Sequence, residues 1–383
     1  MKKYLVSVLG LVLLVGCEKT TIEEEITHIV ETPEAITDYN VASYYLDKPL
    51  NLVDYKDEDK HSNPLDITVV DYNLDGYDDV VESNSHYGET YRTKFKFYLG
   101  QPDGTLKEDQ TNSNKFEGLV HARKGIVGDF NKDGKPDLFF VGHGYDKPPY
   151  PGEYPVLFLS TENYEFTSLY FTELVDFFHT AASGDLDNDG DLDIILDGFN
   201  TFILENDGKG GFSSTSLKDS QLFTEGVDRY FENKFTLELY DLDNDGYLDI
   251  ILGGHEFEGT KEPNVILYNS PTGFTGRYTF IDTVIDYKVT IDIDFYDFDN
   301  DGKSELILNR TGSTNFYTGS YIQVVNIEGI DITKEVFLDT SYKNIAGDQW
   351  IAWLIVYGNT LILNDLYSDK SWAITDKGIQ LSN

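Results

Sequence analysis

Five short acidic segments of the chain have the residue types and the spacing of a site for a hard cation. Each follows the pattern D-x-[DN]-x-D-G-x-x-[DE], and the first residues of successive copies are 58, 56, 56 and 56 positions apart. A repeat at so regular an interval indicates a structural unit that recurs along the chain. The residues at positions 1, 3, 5, 7 and 9 of the five loops are Asp71, Asn73, Asp75, Tyr77 and Asp79; Asp129, Asn131, Asp133, Lys135 and Asp137; Asp185, Asp187, Asp189, Asp191 and Asp193; Asp241, Asp243, Asp245, Tyr247 and Asp249; and Asp297, Asp299, Asp301, Lys303 and Glu305.

The side-chain oxygens at positions 1, 3, 5 and 9 of each loop can converge on one ion, and the backbone carbonyl of position 7 adds a further ligand. The glycine at position 6 permits the sharp turn that this convergence requires. Calcium fits better than magnesium, because the loops offer many flexible carboxylates and the sequence does not imply a substrate phosphate. We therefore expect about five calcium sites, with weaker binding where Asn73 and Asn131 replace aspartate. The alternative is a set of solvated acidic turns.

Short apolar runs follow the loops and predict the strands that position them. In the third repeat the run is Ile194-Ile195-Leu196, which is typical of a buried strand. Each repeat predicts four strands, with the acidic loop between the first and the second. In the third repeat the predicted strands are 180–184, 193–196, 201–205 and 212–217. Strands at 350–356, 360–365 and 371–375 predict a further unit, in which a tight hairpin replaces the acidic loop.

These residues resemble the FG-GAP-like or VCBS repeats, which form the calcium-containing blades of β-propellers such as the integrin α-subunit head. The resemblance covers roughly residues 60 to 340. It implies an all-β propeller with calcium loops between the first two strands of five blades. Six blades are expected, and seven if the N-terminal segment contributes strands. The resemblance implies little about function, because such propellers serve adhesins, lectins, lyases and assembly factors alike.

The N-terminus has the features of an export signal. Lys2 and Lys3 precede a short apolar core, and Leu14-Val15-Gly16-Cys17 resembles a bacterial lipobox. The sequence predicts a signal peptide over 1–16, a lipidated Cys17 with an acidic tether over 17–58, and the propeller over 59–383. The tether resembles the export signals of Bacteroidetes surface lipoproteins, or it is a solvated spacer. We expect an outer-membrane lipoprotein exposed at the cell surface, with the periplasmic face as the alternative.

Charge and cysteine content narrow the class of partner. The formal net charge is −39, so binding to nucleic acid is not expected, because it requires clusters of lysine and arginine. Cys17 is the only cysteine, so no intrachain disulfide can form and calcium is expected to stabilise the fold instead. The membrane is expected to be contacted only through the lipid.

A second group of residues is expected on the side of the propeller opposite the acidic loops. Residues that enter the first strand of a blade, or leave its second strand, should lie there. Imidazole, guanidinium, phenol and carboxylate groups together suit sugar hydroxyls, a carboxylate or a second metal. The alternative is that the histidines satisfy backbone groups at the ends of the blades. The candidate ligand-binding residues are His121, Arg123, His143, Tyr145, Asp146, His179 and His255.

Three functions fit this pattern. The first is a surface-anchored protein that binds a glycan or a protein ligand, as in adhesion. This function accounts for the predicted lipid, the calcium loops and the candidate binding residues expected on one side. A polysaccharide lyase or hydrolase is the second, with Arg123, His143, His179 and Asp146 as possible acid, base or metal-binding groups. A structural partner in an outer-membrane complex is the third. The chain has no nucleophile elbow, phosphate loop or dinucleotide fingerprint, so we assign no catalytic residue and favour binding.

Overall fold

The computed structural model describes a large part of the chain from Ser62 onward. The described residues are 62–86, 90–232, 234–254, 263–281, 289–297, 304–311, 321–328, 331–338, 353–357, 360–364, 371–375 and 378–381. The predicted signal peptide, Cys17, the tether and His255 lie outside them. Within the described ranges, no helix is both long enough and apolar enough to cross a membrane.

Among the described residues, the regular structure consists of β-strands and one short 3-10 helix, Asp228–Phe231. The apolar run after each acidic loop forms the second strand of a sheet, and its side chains are buried because both faces of the strand are covered. The strands are β1 (Ser62–Val70), β2 (Asp79–His86), β3 (Phe95–Gly100), β4 (Leu106–Glu108), β5 (Ala122–Gly128), β6 (Asp137–Gly142), β7 (Val156–Ser160), β8 (Phe166–Tyr170), β9 (Thr180–Gly184), β10 (Asp193–Asp197), β11 (Phe202–Asn206), β12 (Phe212–Ser216), β13 (Lys234–Tyr240), β14 (Asp249–Gly254), β15 (Asn264–Leu267), β16 (Tyr278–Ile281), β17 (Val289–Tyr296), β18 (Glu305–Thr311), β19 (Tyr321–Glu328), β20 (Asp331–Leu338), β21 (Trp353–Tyr357), β22 (Thr360–Asn364), β23 (Ser371–Thr375) and β24 (Gly378–Leu381).

Each sheet is an antiparallel meander of four strands in chain order. In the sheet β9–β12, for example, Ile195 lies opposite Ala182 on one side and Ile203 on the other. The first strands of successive sheets are neighbours, from β1 and β5 through to β17 and β21. This is a β-propeller arrangement, in which the first strand of each blade is innermost.

The expected count of six or seven blades is corrected by the sheet topology. The acidic repeat supplies five blades, which are the sheets β1–β4, β5–β8, β9–β12, β13–β16 and β17–β20. The remaining sheet, β21–β24, also has four antiparallel strands, but Tyr357 pairs directly with Thr360 where the blades have an acidic loop. Among the described residues there is no strand that would belong to a seventh blade. We refer to the repeat-built sheets as blades 1 to 5.

Large apolar side chains fill the spaces between neighbouring blades. Between blades 1 and 2 the ring centroid of Phe95 lies 4.6 Å from that of Phe140 and 4.8 Å from that of Phe158. Between blades 3 and 4 the core is mainly aliphatic and includes Ile195 and Leu237. All five side chains are fully buried, so neighbouring blades are held together chiefly by apolar burial.

A buried ion-pair network connects innermost strands that are not adjacent. Lys124 Nζ in blade 2 lies 2.7 Å from Glu238 Oε1 in blade 4 and 3.5 Å from Asp292 Oδ1 in blade 5. Asp292 Oδ2 in turn accepts a hydrogen bond of 2.7 Å from the backbone N–H of Leu354 in β21. Burial alone would lower the pKa of Lys124, but the two carboxylates raise it above its ordinary value. The ammonium group therefore stays charged and joins three blades.

The acidic loops have a left-handed backbone at two positions, of which the sequence predicted only one. Glycine at position 6 has a positive φ in every described loop, as the expected sharp turn requires. Position 4 has a positive φ as well, which asparagine tolerates and leucine does not. The φ values at position 4 are 57° for Leu74, 58° for Lys132, 64° for Asn188 and 57° for Asn244.

We expect Leu74→Asn to stabilise the protein by roughly 0.5–1 kcal/mol, because asparagine adopts the left-handed conformation at lower cost. Leu74 is 48% exposed, so little apolar burial is lost. Urea unfolding at constant calcium measures the change. Leu74→Ala keeps the strained Cβ and is the control, with a change of less than about 0.5 kcal/mol expected. A lower midpoint for Leu74→Asn than for Leu74→Ala would contradict the assignment of strain.

Candidate functional site

The carboxylate at position 1 organises each described acidic loop. In blade 3, Asp185 Oδ1 accepts a hydrogen bond of 2.9 Å from the backbone N–H of Asp189, and Asp185 Oδ2 accepts one of 2.9 Å from Gly190. The same two bonds occur in blades 1, 2 and 4. The position 5 carboxylate accepts a bond from the N–H of position 7, as Asp189 does from Asp191 at 2.9 Å. These bonds fold the loop so that its side chains surround one point.

The carboxylate at position 9 joins the loop to the rest of its blade. Asp193 Oδ2 accepts a hydrogen bond of 3.2 Å from Leu186 N, and Asp193 Oδ1 accepts one of 3.0 Å from Asn206 N at the end of the third strand. The equivalent residues Asp79, Asp137 and Asp249 make the same pair of bonds. The sequence predicted these residues as cation ligands and did not reveal this second role.

Burial raises the pKa of the position 9 carboxyls, although the hydrogen bonds from the backbone lower it in part. The pKa is raised to about 8 for Asp79 and to about 7 for Asp193. The neighbouring carboxylates at positions 3 and 5 add to the rise in blade 3. The carboxyls at position 9 are therefore destabilised in their charged form unless a positive charge lies nearby.

The donor sets of two loops suit a hard divalent cation. In blade 3, one oxygen each of Asp185, Asp187 and Asp193 lie within 4.8 Å of one another, and the corresponding three aspartates of blade 4 do the same. Asp243 Oδ1 in blade 4 is buried and accepts no hydrogen bond from the described residues, whereas Asp243 Oδ2 lies 2.8 Å from Arg277 Nη2 in an ion pair. An inward-facing carboxylate oxygen without a donor, among others at this separation, fits calcium coordination.

The other loops differ from this arrangement. In blade 1, Asn73 Nδ2 donates a hydrogen bond of 3.1 Å to Asp75 Oδ2, and in blade 2, Lys135 Nζ lies 3.2 Å from Asp133 Oδ2. Both contacts occupy a position 5 carboxylate that was predicted as a ligand. Of the predicted ligands in blade 5, Asp297 and Glu305 are described, whereas 299, 301 and 303 lie outside the described residues.

Neighbouring acidic loops contact one another along one side of the propeller. Lys132 Nζ of blade 2 forms an ion pair with the Asp191 carboxylate of blade 3. Asn188 Nδ2 of blade 3 donates a hydrogen bond of 3.3 Å to the backbone oxygen of Gly246 in blade 4. In both pairs the donor is at the left-handed position 4. The loops thus form a continuous edge.

On the opposite side, four aromatic rings form a column that runs from the protein interior to the surface. The ring centroids of His121 and His143 are 4.0 Å apart, those of His143 and Phe177 are 4.3 Å apart, and those of Phe177 and Phe199 are 5.0 Å apart. The last two pairs are stacked, with interplanar angles of 9° and 12°. The inner three rings are buried, whereas Phe199 is 65% exposed. The sequence predicted the two histidines and missed the two phenylalanines.

A second stack flanks the column. The ring of His179 lies 4.7 Å from that of Phe235, and the Arg123 guanidinium carbon lies 4.8 Å from the same phenylalanine ring. His179 is half-buried and its ring centroid is 5.5 Å from that of His143. The structure thus brings together four residues of the predicted ligand site, although three of them, His121, Arg123 and His143, are buried.

The buried histidines are held in their neutral form. Burial, together with the positive charge of Arg123, lowers the pKa of His121 to about 3. Burial also lowers the pKa of His143 well below its ordinary value. The described residues converge as three metal-ligating side chains only in the acidic loops, and the imidazoles are not among them. The histidines thus act as uncharged rings in the column, and His143 Nδ1 lies 3.0 Å from the backbone oxygen of Gly144.

Two carboxylates fix the loops that carry the exposed rings. Asp176 Oδ1 accepts a hydrogen bond of 2.8 Å from Phe199 N, and Asp176 Oδ2 accepts one of 2.7 Å from Asn200 Nδ2. Glu153 accepts backbone N–H bonds from Val120, from His121 and from Gly144, each between 2.8 and 3.0 Å. The column is therefore positioned by hydrogen bonds to its connecting loops as well as by stacking.

The exposed end of the column lies in a cleft of about 830 Å³ between blades 2, 3 and 4. Phe199 and the 42% exposed Tyr150 present their rings there. Asp146, one of the predicted ligand residues, is exposed and also lines the cleft, whereas Tyr145 is half-buried and does not. The cleft-lining residues are Asp146, Tyr150, Phe177, His179, Asp197, Gly198, Phe199, Asn200, Thr201, Ser216, Leu217, Lys218, Asp228, Phe231, Glu232, Lys234 and Phe235.

Asp197 is the buried acid of the cleft and was not predicted. Its side chain is 2% exposed, and Oδ1 accepts a hydrogen bond of 2.6 Å from Thr201 Oγ1. Among the described residues no donor reaches Oδ2. Burial raises the pKa of Asp197 to about 7. Asp197 is the last residue of the second strand of blade 3, and Phe199 and Asn200 lie in the connection that follows it. The position of this connection, opposite the acidic loop, was the signal available in the sequence.

The fold and the loops define a β-propeller built from acidic repeats, and comparison with known proteins gives its family. The model of the FG-GAP-like repeat matches residues 71–140, 129–196 and 241–308. Together these matches cover just over half of the chain. The chain therefore belongs to the FG-GAP-like repeat family.

Several solved structures are similar in fold at low identity. A lectin of Agrocybe aegerita, described as recognising non-reducing terminal N-acetylglucosamine, is 14% identical with a TM-score of 0.48, over 84% of this chain and 80% of the lectin. The rhamnogalacturonan lyase YesW is 14% identical with a TM-score of 0.41, over 83% of this chain and 57% of the lyase. A Bacillus licheniformis rhamnogalacturonan lyase is 13% identical with a TM-score of 0.39, over 84% and 72%. These likenesses concern the fold alone. A search of curated proteins found no match.

We expect acid to destabilise the wild type more than the variant His121→Asn. The unfolded imidazole has a pKa near 6.5 and the folded one near 3, so unfolding takes up a proton and stability falls as the pH drops through 6.5. At a pH of about 5 this effect amounts to about 2 kcal/mol. Guanidinium unfolding of both proteins at constant calcium, at pH values of about 8 and about 5, measures the difference. The same pH dependence in both proteins would contradict a buried neutral imidazole.

Proposed function

We propose that the protein is a ligand-binding β-propeller that takes up a glycan in the cleft between blades 2, 3 and 4. One observation carries the proposal: Phe199 is the exposed end of a column of stacked rings and lies inside this cleft. Exposure of an aromatic ring to water is normally unfavourable in free energy. Three further rings support the Phe199 ring, and Asp176 binds its backbone N–H. A rigid exposed ring of this kind is suited to ligand binding.

The chemistry of the cleft suits a sugar. A pyranose ring has an apolar C–H face that packs on an aromatic ring, and its edge carries hydroxyl groups that donate and accept hydrogen bonds. The cleft offers both counterparts, with Phe199 and Tyr150 as ring surfaces and Asp146, Asn200 and Ser216 as polar groups. Its volume of about 830 Å³ is within the usual range for ligand sites. A protein ligand is the alternative to a glycan, and an aromatic side chain of such a ligand would pack on the same two rings.

The cleft also supports a second candidate function, a polysaccharide lyase or hydrolase. The specific observation is that Asp197, with a pKa raised to about 7 by burial, lines the same cleft as His179. Groups that titrate near neutrality are suited to proton transfer. Binding accompanied by new reducing ends or unsaturated products would favour the enzyme, and binding without products favours the lectin-like role.

We further propose that the acidic loops bind calcium and that this binding stabilises the blades. The grouped carboxylates of blades 3 and 4 and the unpaired Asp243 Oδ1 support the proposal. When bound, calcium would supply the positive charge that buried carboxylates at position 9 require. A predicted lipid on Cys17 would hold the propeller at the outer membrane, with the cleft exposed at the cell surface.

We expect removal of calcium to lower the melting temperature, because calcium binds the folded loops and not the unfolded chain. At a free concentration about 100-fold above the dissociation constant, each site would contribute roughly 2.7 kcal/mol. Scanning calorimetry in millimolar calcium and in excess chelator measures the shift. Magnesium at the same concentration is the control and should restore little of the stability. An unchanged melting temperature in chelator would contradict the proposal that calcium stabilises the fold.

Within the loops, we expect Asp189→Ala to remove more calcium-dependent stability than Asn73→Ala. Asp189 supplies a position 5 carboxylate to a loop in which Asp185, Asp187 and Asp193 converge, whereas Asn73 supplies a neutral amide that also bonds to Asp75. The relevant quantity is the loss of stability in calcium minus the loss in chelator, roughly 2–3 kcal/mol for Asp189→Ala. Equal values for the two variants would show that the carboxylate count does not set affinity.

We expect Phe199→Ala to weaken glycan binding at least about ten-fold, because it removes the exposed ring of the column. The probe is a glycan array followed by titration calorimetry with the best oligosaccharide. Phe280→Ala is the matched control, since Phe280 is a 46% exposed phenylalanine on β16 that does not line the cleft. Equal losses in the two variants, or binding unaffected by Phe199→Ala, would remove the cleft from the proposal.

A further inference from the structure

We propose that the cleft selects glycans that carry free amino groups and rejects glycans that carry carboxylates. The carboxylates of Asp146 and Glu232 recognise the ammonium groups, and the rings of Phe199 and Tyr150 hold the sugar. This inference rests on the proposed function, because it names the class of glycan for the same cleft.

The first argument is the number of carboxylates that face the cleft. Asp146 and Glu232 are exposed at its rim, and among the described residues neither forms an ion pair. Asp197 lies at its floor, and the Oδ2 atom of this buried side chain accepts no hydrogen bond from the described residues. A buried acceptor without a donor is costly, and a ligand that brings an N–H group would remove that cost.

The second argument is that the cations of the cleft are already engaged. Lys218 Nζ lies 3.4 Å from Asp228 Oδ2, which is the fourth carboxylate of the lining. Lys234 is buried and its Nζ donates a hydrogen bond of 2.9 Å to the backbone oxygen of Pro263. Lys234 is not placed to receive a ligand carboxylate, and Lys218, whose side chain is 77% exposed, would do so only in competition with Asp228. A uronate would therefore enter beside uncompensated negative charge in a chain of net charge −39.

The third argument comes from the ring surfaces. The face of an aromatic ring carries partial negative charge and attracts an ammonium group within about 6 Å of its centroid. Phe199 and Tyr150 expose 65% and 42% of their surface and line the same cleft as the rim carboxylates. The ring of Tyr150 lies 5.6 Å from that of Phe177, so both exposed rings belong to one aromatic group. An amino sugar satisfies the rings and the carboxylates together.

The experiment compares three oligosaccharides of equal length with the full chain in calcium. The probes are a glucosamine oligomer, the matching N-acetylglucosamine oligomer and an oligogalacturonate, titrated in a mildly acidic buffer in which free amines are protonated. We expect the glucosamine oligomer to bind about five-fold more tightly than its acetylated match, with a difference that shrinks at high salt, and the galacturonate not to bind. Asp146→Asn and Glu232→Gln should each reduce the preference for the amine.

Glu162→Gln is the charge-matched control, because Glu162 is an exposed acid in the turn between β7 and β8, away from the cleft lining, and should leave the preference unchanged. Equal binding of the amine and its acetylated match, lost in Phe199→Ala, would overturn the inference and leave glycan binding intact. Binding of the galacturonate as tight as that of the amine would overturn it as well. Failure of all three probes and of every glycan on the array would overturn the proposed function itself.

Discussion

Blades 1 to 4 each depend on a buried carboxylate that accepts two backbone hydrogen bonds. In blade 3, Asp193 joins the start of the acidic loop at Leu186 to the end of the third strand at Asn206. The loop and the strand are thereby fixed to each other, and the same tie recurs in the other described loops. The cost is a carboxyl whose burial raises its pKa to about 7, beside further aspartates of the same loop. Because this tie recurs in blades 1 to 4, the need for a nearby positive charge recurs with it, which is the physical reason for proposing a cation at these loops.

The two sides of the propeller differ, because the buried carboxylate fixes only the side that carries the acidic loops. On one side the loops are short, hydrogen-bonded within themselves and in contact with one another, through pairs such as Lys132 with Asp191. On the other side the connections vary in length and composition, and the innermost strands are joined across blades by Lys124. The acidic loops fix one side of the propeller, and the partly buried ion pairs of Lys124 fix its centre. The variable connections on the other side can therefore carry binding residues without a structural role of this kind. The cleft is built from four such connections, which follow β6, β8, β10 and β12, and none of them contributes to an acidic loop.

The repeat could be predicted from the sequence because its signal is local. In the third repeat the predicted strands 193–196 and 212–217 are observed at Asp193–Asp197 and Phe212–Ser216, since the loop pattern fixes where the neighbouring strands begin. The ring column could not be predicted in this way. It joins His121 and His143 of blade 2 to Phe177 and Phe199 of blade 3, so it exists only once two blades are packed side by side. The left-handed backbone of Leu74 was missed for a different reason, because leucine gives no local indication of it.

The buried histidines add no positive charge beside the cleft at neutral pH. As exposed cations, His121 and His143 would offset the rim carboxylates and favour an anionic ligand. Their burial lowers the pKa of both, so at neutral pH they contribute ring surface and no charge. The charged side chains that line the cleft are then Asp146, Asp197, Asp228 and Glu232, with Lys218 paired to Asp228 and Lys234 bonded to a backbone oxygen. The stacking that supports Phe199 thus also leaves the cleft negative, because the rings stack in a dry interior where imidazole cannot hold a proton. The support of the ring surface and the preference for a cationic ligand therefore have the same physical origin.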